Sequence, residues 1–486
     1  MTRQHFPAIA KRPLAKRILN VIVLSTATLL GSGQAYANNL MDVFEAAFEN
    51  DPVLGAARAG FDATRQIVPQ ARAGLLPSLN ASANTTRTER EFPGAIIIDQ
   101  DTGLPVLNPV TGNPIPIPDQ EFNDHGWSAQ LSQPLVNVGA WYTFKSAKSS
   151  VAAAEYNLAA AEQQLIVRVV QAYLNVLRAQ DLLDTTTAEE TAVKRQLEQV
   201  QQRFDVGLVA ITDVLESQAA YDSAVVRRIQ ANGDHDIFFE TLSTLSGISY
   251  DALDRLSEQL PIVNPNPIDE QEWVAAALAQ NLGIRTAQEQ LTAARRTSRA
   301  RRSDHLPTID ATITQVHSVT GAPNFFGADT TDQTVYGLQF NLPIYNGGLV
   351  RARAREARAL EVQAQEQLLN QQRTVTRDTR NLYQAVATDV IRVRARLKAI
   401  KSSQSALDAT ETGYEVGTRN IVDVLQAQQR LFSSQFDYAD SRYNYVLDLM
   451  LSKQVAGVLV KEDLEELNTF TDPNDQVERL MSLSGR

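Results

Sequence analysis

No cysteine occurs among the 486 residues. That excludes disulfides, thiolate metal sites and a cysteine nucleophile, and with them the acylated N-terminal cysteine of a lipoprotein. Long apolar runs are missing too: beyond the N-terminal segment no stretch offers about 18 uncharged apolar residues, so a membrane could be entered only as a β-barrel. Histidine is scarce, and His5, His125, His235, His305 and His317 are scattered without HExxH or other metal-ligand spacing. "HDIFFE" from His235 could supply an acid and a base, but on a long Ala-rich helix it reads as a packed face. No catalytic group, cofactor site or metal site is visible, so no enzyme is expected. Basic charge is in deficit as well, 45 Lys and Arg against 56 Asp and Glu, a net −11 that argues against a nucleic-acid partner.

The N-terminus is the exception to that acidity. Arg3, Lys11, Arg12, Lys16 and Arg17 precede the apolar "ILNVIVLSTATLL" and an Ala-Tyr-Ala ending at Ala37, the pattern of a signal peptide over residues 1–37. The apolar run, about 13 residues, is short of the roughly 20 that span a bilayer. Cleavage after Ala37 would take the net charge from −11 to −16.

The rest of the chain is written twice. "RFDVGLVAITDVL" starts at Arg203 and "YEVGTRNIVDVL" at Tyr414; with Phe204 set on Tyr414, seven of fifteen positions agree through Gln218 and Gln428. "LLPSLNASA" around Pro77 likewise answers "HLPTIDATI" around Pro307, and "QLSQPLVNVG" around Pro134 answers "QFNLPIYNGG" around Pro343. The expected organisation is repeat 1 over 38–260, a linker over 261–270, repeat 2 over 271–467 and a polar, flexible tail over 468–486. Each repeat runs helix, strand, loop, strand, long helix, turn, helix. The first loop carries about 20 extra residues, rich in Pro, Gly and Asp, and reads as long and exposed.

Period-two alternation predicts strands near 77–90, 124–136, 307–318 and 332–343. Thr334, Tyr336, Leu338, Phe340 and Leu342 fall on one face, as do Trp127, Ala129, Leu131 and Leu135. One apolar and one polar face fit a half-exposed sheet or a barrel wall. The helical signal is stronger: no proline lies between Pro134 and Pro261, and no glycine from Ala140 to Val206. A helix over that stretch would reach about 100 Å. Within it Val169, Val176, Leu183, Glu190, Leu197 and Phe204 form a seven-residue column, matched by Thr379, Val386, Val393, Ile400, Leu407 and Tyr414, which predicts coiled-coil packing. Gly207 and Gly417 end the long helices, and Thr212-Asp213 and Val422-Asp423 open the next, so each repeated phrase marks a hairpin tip near 204–213 or 414–423.

Four strands cannot close a membrane barrel, which starts at about eight; three copies would supply about twelve and leave a lumen. In combination, the signal sequence, the "LPSL"/"LPTI" and "LPIYNGG" landmarks, "AYLNVL" and the duplicated tip phrase resemble the TolC family of outer-membrane efflux and secretion channels, from about Leu40 to Leu467. The resemblance implies an all-α plus transmembrane-β fold: a trimeric twelve-stranded barrel in the outer membrane of a Gram-negative bacterium, continued through the periplasm by a helical coiled-coil barrel. It implies a homotrimer in outer-membrane lipid, opened by a periplasmic adaptor and an inner-membrane transporter of the RND, ABC or MFS type, with no cofactor. A periplasmic coiled-coil adaptor is the competing reading.

The resemblance also implies roles at the tips. Asp423 matches an acidic ring at the periplasmic entrance, with Gln426 where such members often have a second Asp; alternatively, Asp213 and Asp423 are first-turn acids that complement helix dipoles. Tyr414 and Arg419 match residues that hold the inner coiled coil against its neighbours, with Thr212, Asp213 and Gln196 as partners, whereas a solvated Arg419 would do nothing. Gly207 and Gly417, with Val206 and Val416, match adaptor contacts, although helix termination alone also accounts for the glycines.

Overall fold

The computed structural model describes residues 39–99, 101–321 and 330–479. The expected signal peptide, the middle of the second loop and the last residues of the tail lie outside them. Two rods dominate: α4 (Val138–Asp205, 68 residues) and α8 (Leu349–Glu415, 67 residues). Asn137 starts α4 by accepting a hydrogen bond from Ala140 N, and an unbroken run of helix formers carries it about 100 Å. At the far end each rod turns back into a 36-residue helix, α5 (Ile211–Ser246) or α9 (Ile421–Ala456), packed along its lower half. Alongside the upper half of α4 lie α2 (Pro52–Arg65) and α3 (Ile67–Ala73), which follow α1 (Leu40–Asn50). In the second repeat α6 (Glu270–Gln280) leads into α7 (Leu282–Ser303), which lies between α4 and α8.

At the other end stands one antiparallel sheet of β1 (Ser78–Arg90), β2 (Gln120–Val136), β4 (Thr308–Val319) and β5 (Thr330–Asn341), in the order β1-β2-β4-β5. Register aligns Leu79, Leu131, Ile313 and Tyr336 in one row, and Ala83, Trp127, His317 and Asp332 in another on the same face. The rings of Trp127 and His317 stack at 6.0 Å, and His317 Nδ1 lies 2.7 Å from Asp332. Rows such as Asn80, Gln130, Thr314 and Val335, or Ser82, Ser128, Val316 and Gln333, face the other way. Leu79, Tyr336, Leu338 and Phe340 are all more than 60% exposed, although no isolated sheet leaves such a face in water without cost. Within the chain β1 and β5 are bare edges.

One expectation needs correction. The tail read as loose contains β6 (Thr471–Glu478), which pairs with β3 (Ala252–Leu256) across more than 200 residues of chain. Leu253 and Val477 are buried against the middle of α4, and Arg479 reaches Glu240 at 2.8 Å, so the chain end is tied into the main core. The long first loop is largely exposed, and backbone bonds close it into a compact shape. Ile97 N donates to Ile115 O, Val106 N to Ile97 O and Ile115 N to Val106 O at 2.8–2.9 Å, so three short segments bond in a closed triangle. Gly103 and Gly112, both at φ 69°, turn its corners, while Asp99 and Asn108 accept backbone hydrogen bonds there.

The main core surrounds α4 from Leu165 to Leu177 and takes in α1, the end of α5, β3, β6, α9 and α10 (Lys461–Asn468). The seven-residue columns run through the interior: Val169, Val176 and Val386 are fully buried, Leu183, Val393 and Leu407 nearly so. Glu190, the polar member, is ion-paired to Arg228 of α5, and its neighbour Glu189 to Arg227 at 2.8 Å.

One polar pair inside the helical body is under strain of charge. Asp389 of α8 is 1% exposed and faces the carboxylate of Asp448 of α9; burial and that neighbour push its pKa from 3.8 up to about 6, against the pull of Arg392 at 2.6 Å. Ionising it in the folded state therefore costs roughly 3 kcal/mol. Below pH 3.8 the carboxyl is neutral in both states. As pH rises through the folded value this contribution to stability is lost. Asp389→Asn should accordingly match the parent at pH 3 and be more stable at pH 7.5, by up to about 3 kcal/mol, in urea unfolding at the two pH values. An equal difference at both would show that the carboxyl pair does not set the dependence.

Candidate functional site

Both tips use one turn. Leu208 N donates to Arg203 O and Thr418 N to Gly413 O, each at 2.8 Å, while Gly207 and Gly417 sit at φ 76° and 78°. Only glycine adopts that left-handed conformation without strain, and the pattern of bonds closes the carbonyl end of each long helix. A side chain at either glycine would meet nothing within 4 Å. Val206, Leu208 and Val416 beside them are about 70% exposed, so both tips offer apolar surface to water. The starts of the return helices differ: Asn420 caps α9 by accepting from Asp423 N at 2.8 Å, whereas Ala210 gives α5 no side-chain cap.

Between the hairpins the tip core of Val200, Val214, Leu407, Ile421, Val424 and Leu431 is sealed by Phe204 and Tyr414. Beside it opens a groove of 820 Å³ lined by Gln196, Arg203, Glu411, Tyr414 and Gln428, among others. The structure thus brings Tyr414 and Gln196 to one place. Arg203 lies over the Tyr414 ring, 5.2 Å from its centre. The Tyr414 hydroxyl and Gln428 Oε1 are buried without a hydrogen-bond partner among the described residues. Leaving such a group unpaired costs about 1–3 kcal/mol.

Arg419 is placed differently. Its guanidinium lies 3.7 Å from Asp423, one turn along, and its stem packs over Gly413, where a Cβ would come within 2.8 Å of Arg419 Cγ. Within the chain it pairs with neither Thr212 nor Asp213; Thr212 Oγ1 instead lies 3.5 Å from Asp213 Oδ1. Asp423 is in the first turn of α9, with Gln426 exposed three residues on. Sequence reasoning passed over Arg203, Gly413 and Gln428. Only Gln428 had a signal, as the repeat partner of Gln218. "HDIFFE" proves to be a packed face: His235 is wholly buried with its ring 4.9 Å from Phe239, and burial holds its pKa down.

Residues 43–248 and 273–450, one block per repeat, match the family Outer membrane efflux protein. The chain belongs to the outer membrane efflux protein family. It is 32% identical over 447 residues to outer membrane protein TolC of Escherichia coli (strain K12), covering 90% of this chain and 86% of that protein. Alkaline protease secretion protein AprF of Pseudomonas aeruginosa is 26% identical over 439 residues, 90% of this chain and 88% of that protein. The crystal structure of VceC from Vibrio cholerae superposes with a TM-score of 0.70 at 18% identity, over 86% of this chain and 96% of that one, so the fold is shared. This outer membrane efflux protein is therefore an outer-membrane channel of the class that serves efflux or secretion, and it resides in the outer membrane of a Gram-negative bacterium.

Proposed function

We propose that three copies of this outer membrane efflux protein assemble into one non-catalytic exit duct, whose twelve strands close a barrel in the membrane and whose helices form a periplasmic tunnel. The observation that carries this reading is the four-stranded sheet, bare at both edges and strongly apolar on one face. Bare edges and an apolar face are both satisfied when neighbouring copies pair edge to edge in lipid. A periplasmic adaptor grips the exposed apolar tips at Val206, Gly207, Val416 and Gly417, and an inner-membrane transporter of the RND, ABC or MFS type delivers small toxic compounds or unfolded proteins. Binding of these partners untwists the tips. Nucleic acid and cofactors have no part in the cycle.

Asp423 then forms a ring of three carboxylates on the axis, with Gln426 adding no charge. One unit charge at 4 Å is worth about 1 kcal/mol in water, so three give a cation preference on the order of a hundredfold, part of it offset by Arg419. Planar-bilayer recording of the mature protein, with its mass measured in detergent, tests both levels. A trimer with small cation-selective openings is expected, and Asp423→Asn should bring selectivity toward unity and relieve block by multivalent cations. A soluble, non-conducting species would instead favour a coiled-coil adaptor, and unchanged selectivity in the variant would remove the ring.

A further inference from the structure

The chain is acidic overall, yet its basic side chains crowd one level. Residues 295–302 and 351–358 hold nine arginines and a single acid, Glu356. These two runs lie on the last turns of α7 and the first turns of α8, immediately below β4 and β5. Between the helices is a cleft of 280 Å³ lined by Arg295, Ser298, Arg299, Arg302, Arg358 and Glu361. Arg295, Arg299 and Arg302 stand at the i, i+4, i+7 spacing of one helix face, so their guanidiniums converge on the same groove.

One carboxylate serves all four. Glu361 is bound by Arg358 at 2.6 Å and lies 4.0 Å from Arg295. Burial alone would raise its pKa, but the hydrogen bond of Arg358 and the charges of Arg358 and Arg302 hold it down, so it stays ionised and fixes two arginines in place. Among the described residues no carboxylate lies within ion-pair distance of Arg299 or Arg302, both of which are exposed. Four cations against one anion leave about three positive charges uncompensated in a cleft whose forked donors match the oxygens of a phosphate.

The surroundings point to the source of that phosphate. Arg302 is one residue from the end of α7, and Arg295 lies about 10 Å further down the helix. The headgroup layer below a bilayer core is about 5–8 Å deep, so the upper half of the cleft falls at its level. Exposed apolar and aromatic side chains mark the same height: Ile344 and Tyr345 are more than 80% exposed, and Trp141, about half exposed, carries the Lys145 amine 5.1 Å over its ring. Aromatic rings next to basic chains are the signature of a membrane interface.

We propose that the cleft between α7 and α8 binds the headgroup phosphate of an anionic glycerophospholipid in the periplasmic leaflet, through Arg299 and Arg302 with Arg295 and Arg358 held beside them. The height of the cleft against the headgroups rests on the barrel reading above; its charge does not. Headgroup binding would tie α7 to α8 where strand passes into helix, and so couple the membrane to the top of the tunnel.

The test uses the purified full chain in neutral detergent, with its thermal midpoint followed as dihexanoyl phosphatidylglycerol, dihexanoyl glycerol or inorganic phosphate is added at matched ionic strength. Phosphatidylglycerol should raise the midpoint saturably, while the uncharged lipid and inorganic phosphate do not. Arg299→Gln with Arg302→Gln should weaken the apparent affinity roughly tenfold or more, and the double Lys variant should restore only part of it, since charge without the fork is kept. Arg377→Gln, remote on α8, should leave the affinity unchanged. Equal stabilisation by inorganic phosphate would overturn the headgroup assignment, and no loss in the Gln variant would overturn the site. Bilayer conductance of the same variant separates these failures from failure of the duct: a conducting trimer that ignores the lipid rejects the cleft alone.

Discussion

Arg419→Ser combined with Tyr414→Phe should raise the resting conductance of the channel severalfold. The two residues contribute unequally. Arg419 is exposed and its ion pair with Asp423 at 3.7 Å runs only from the tip turn to the first turn of α9 in the same hairpin, a contact worth a few tenths of a kcal/mol that holds nothing across the entrance. Its effect on closure must come from reaching a neighbouring coil once three copies stand together. Tyr414 is the stronger element, because its ring is clamped beneath Arg203 and its buried hydroxyl has no partner among the described residues. Pairing that hydroxyl across the subunit boundary would recover about 1–3 kcal/mol per copy. Repeated three times, that is enough to hold a closed entrance at better than 99:1, for which about 2.7 kcal/mol suffices. Losing it in all three copies returns the balance toward the open state. Single-channel recording decides: resting conductance unchanged in the double variant would sink the latch, and Tyr414→Phe alone should account for most of the gain.

The long-range plan was legible because duplication wrote it twice. The matched tip phrases place Gly207 and Gly417 at the same turn, and strand alternation assigns Trp127, Leu131 and Tyr336 to one face, which the register joins into rows. Local signals of this kind depend only on period and turn chemistry. The β3–β6 sheet carries no such signal. "TDPNDQVE" contains proline and little alternation, and its strand character arises only from burial of Val477 and Leu253 against α4, more than 200 residues distant in the chain from one another. The triangle over residues 95–117 was hidden for a different reason. Pro and Gly mark its corners correctly as turns, yet the closure is a set of backbone bonds between segments nine residues apart, which composition cannot report. At the tips, Arg419 was readable as a residue but not its pairing within its own hairpin, and Arg203 became visible only when α4 and α8 were brought side by side.

Gly457→Ala should destabilise the protein by about 4 kcal/mol or more, and Gly247→Ala by markedly less. The two glycines are repeat equivalents, each ending a return helix in the left-handed conformation, at φ 75° and 72°. Each also meets a junction between two helices: Gly247 touches Asn50, just before Asp51 caps α2, and Gly457 touches Gln280, just before Asn281 caps α7. The left-handed conformation costs either alanine about 1–2 kcal/mol. What differs is the neighbour. At residue 247 a new Cβ would meet the Asn50 Cβ at 3.0 Å, a side-chain contact relieved by a small shift. At residue 457 it would lie 2.5 Å from the Gln280 carbonyl oxygen and 2.8 Å from Asn281 N, so backbone must move. That movement would pull Asn281 from Val455 O, which it now holds at 2.9 Å, and loosen the seat of α7 on the end of α9. Urea unfolding of both variants in detergent is the measurement, and equal losses would show that conformational strain, not the closeness of the junction, sets the cost.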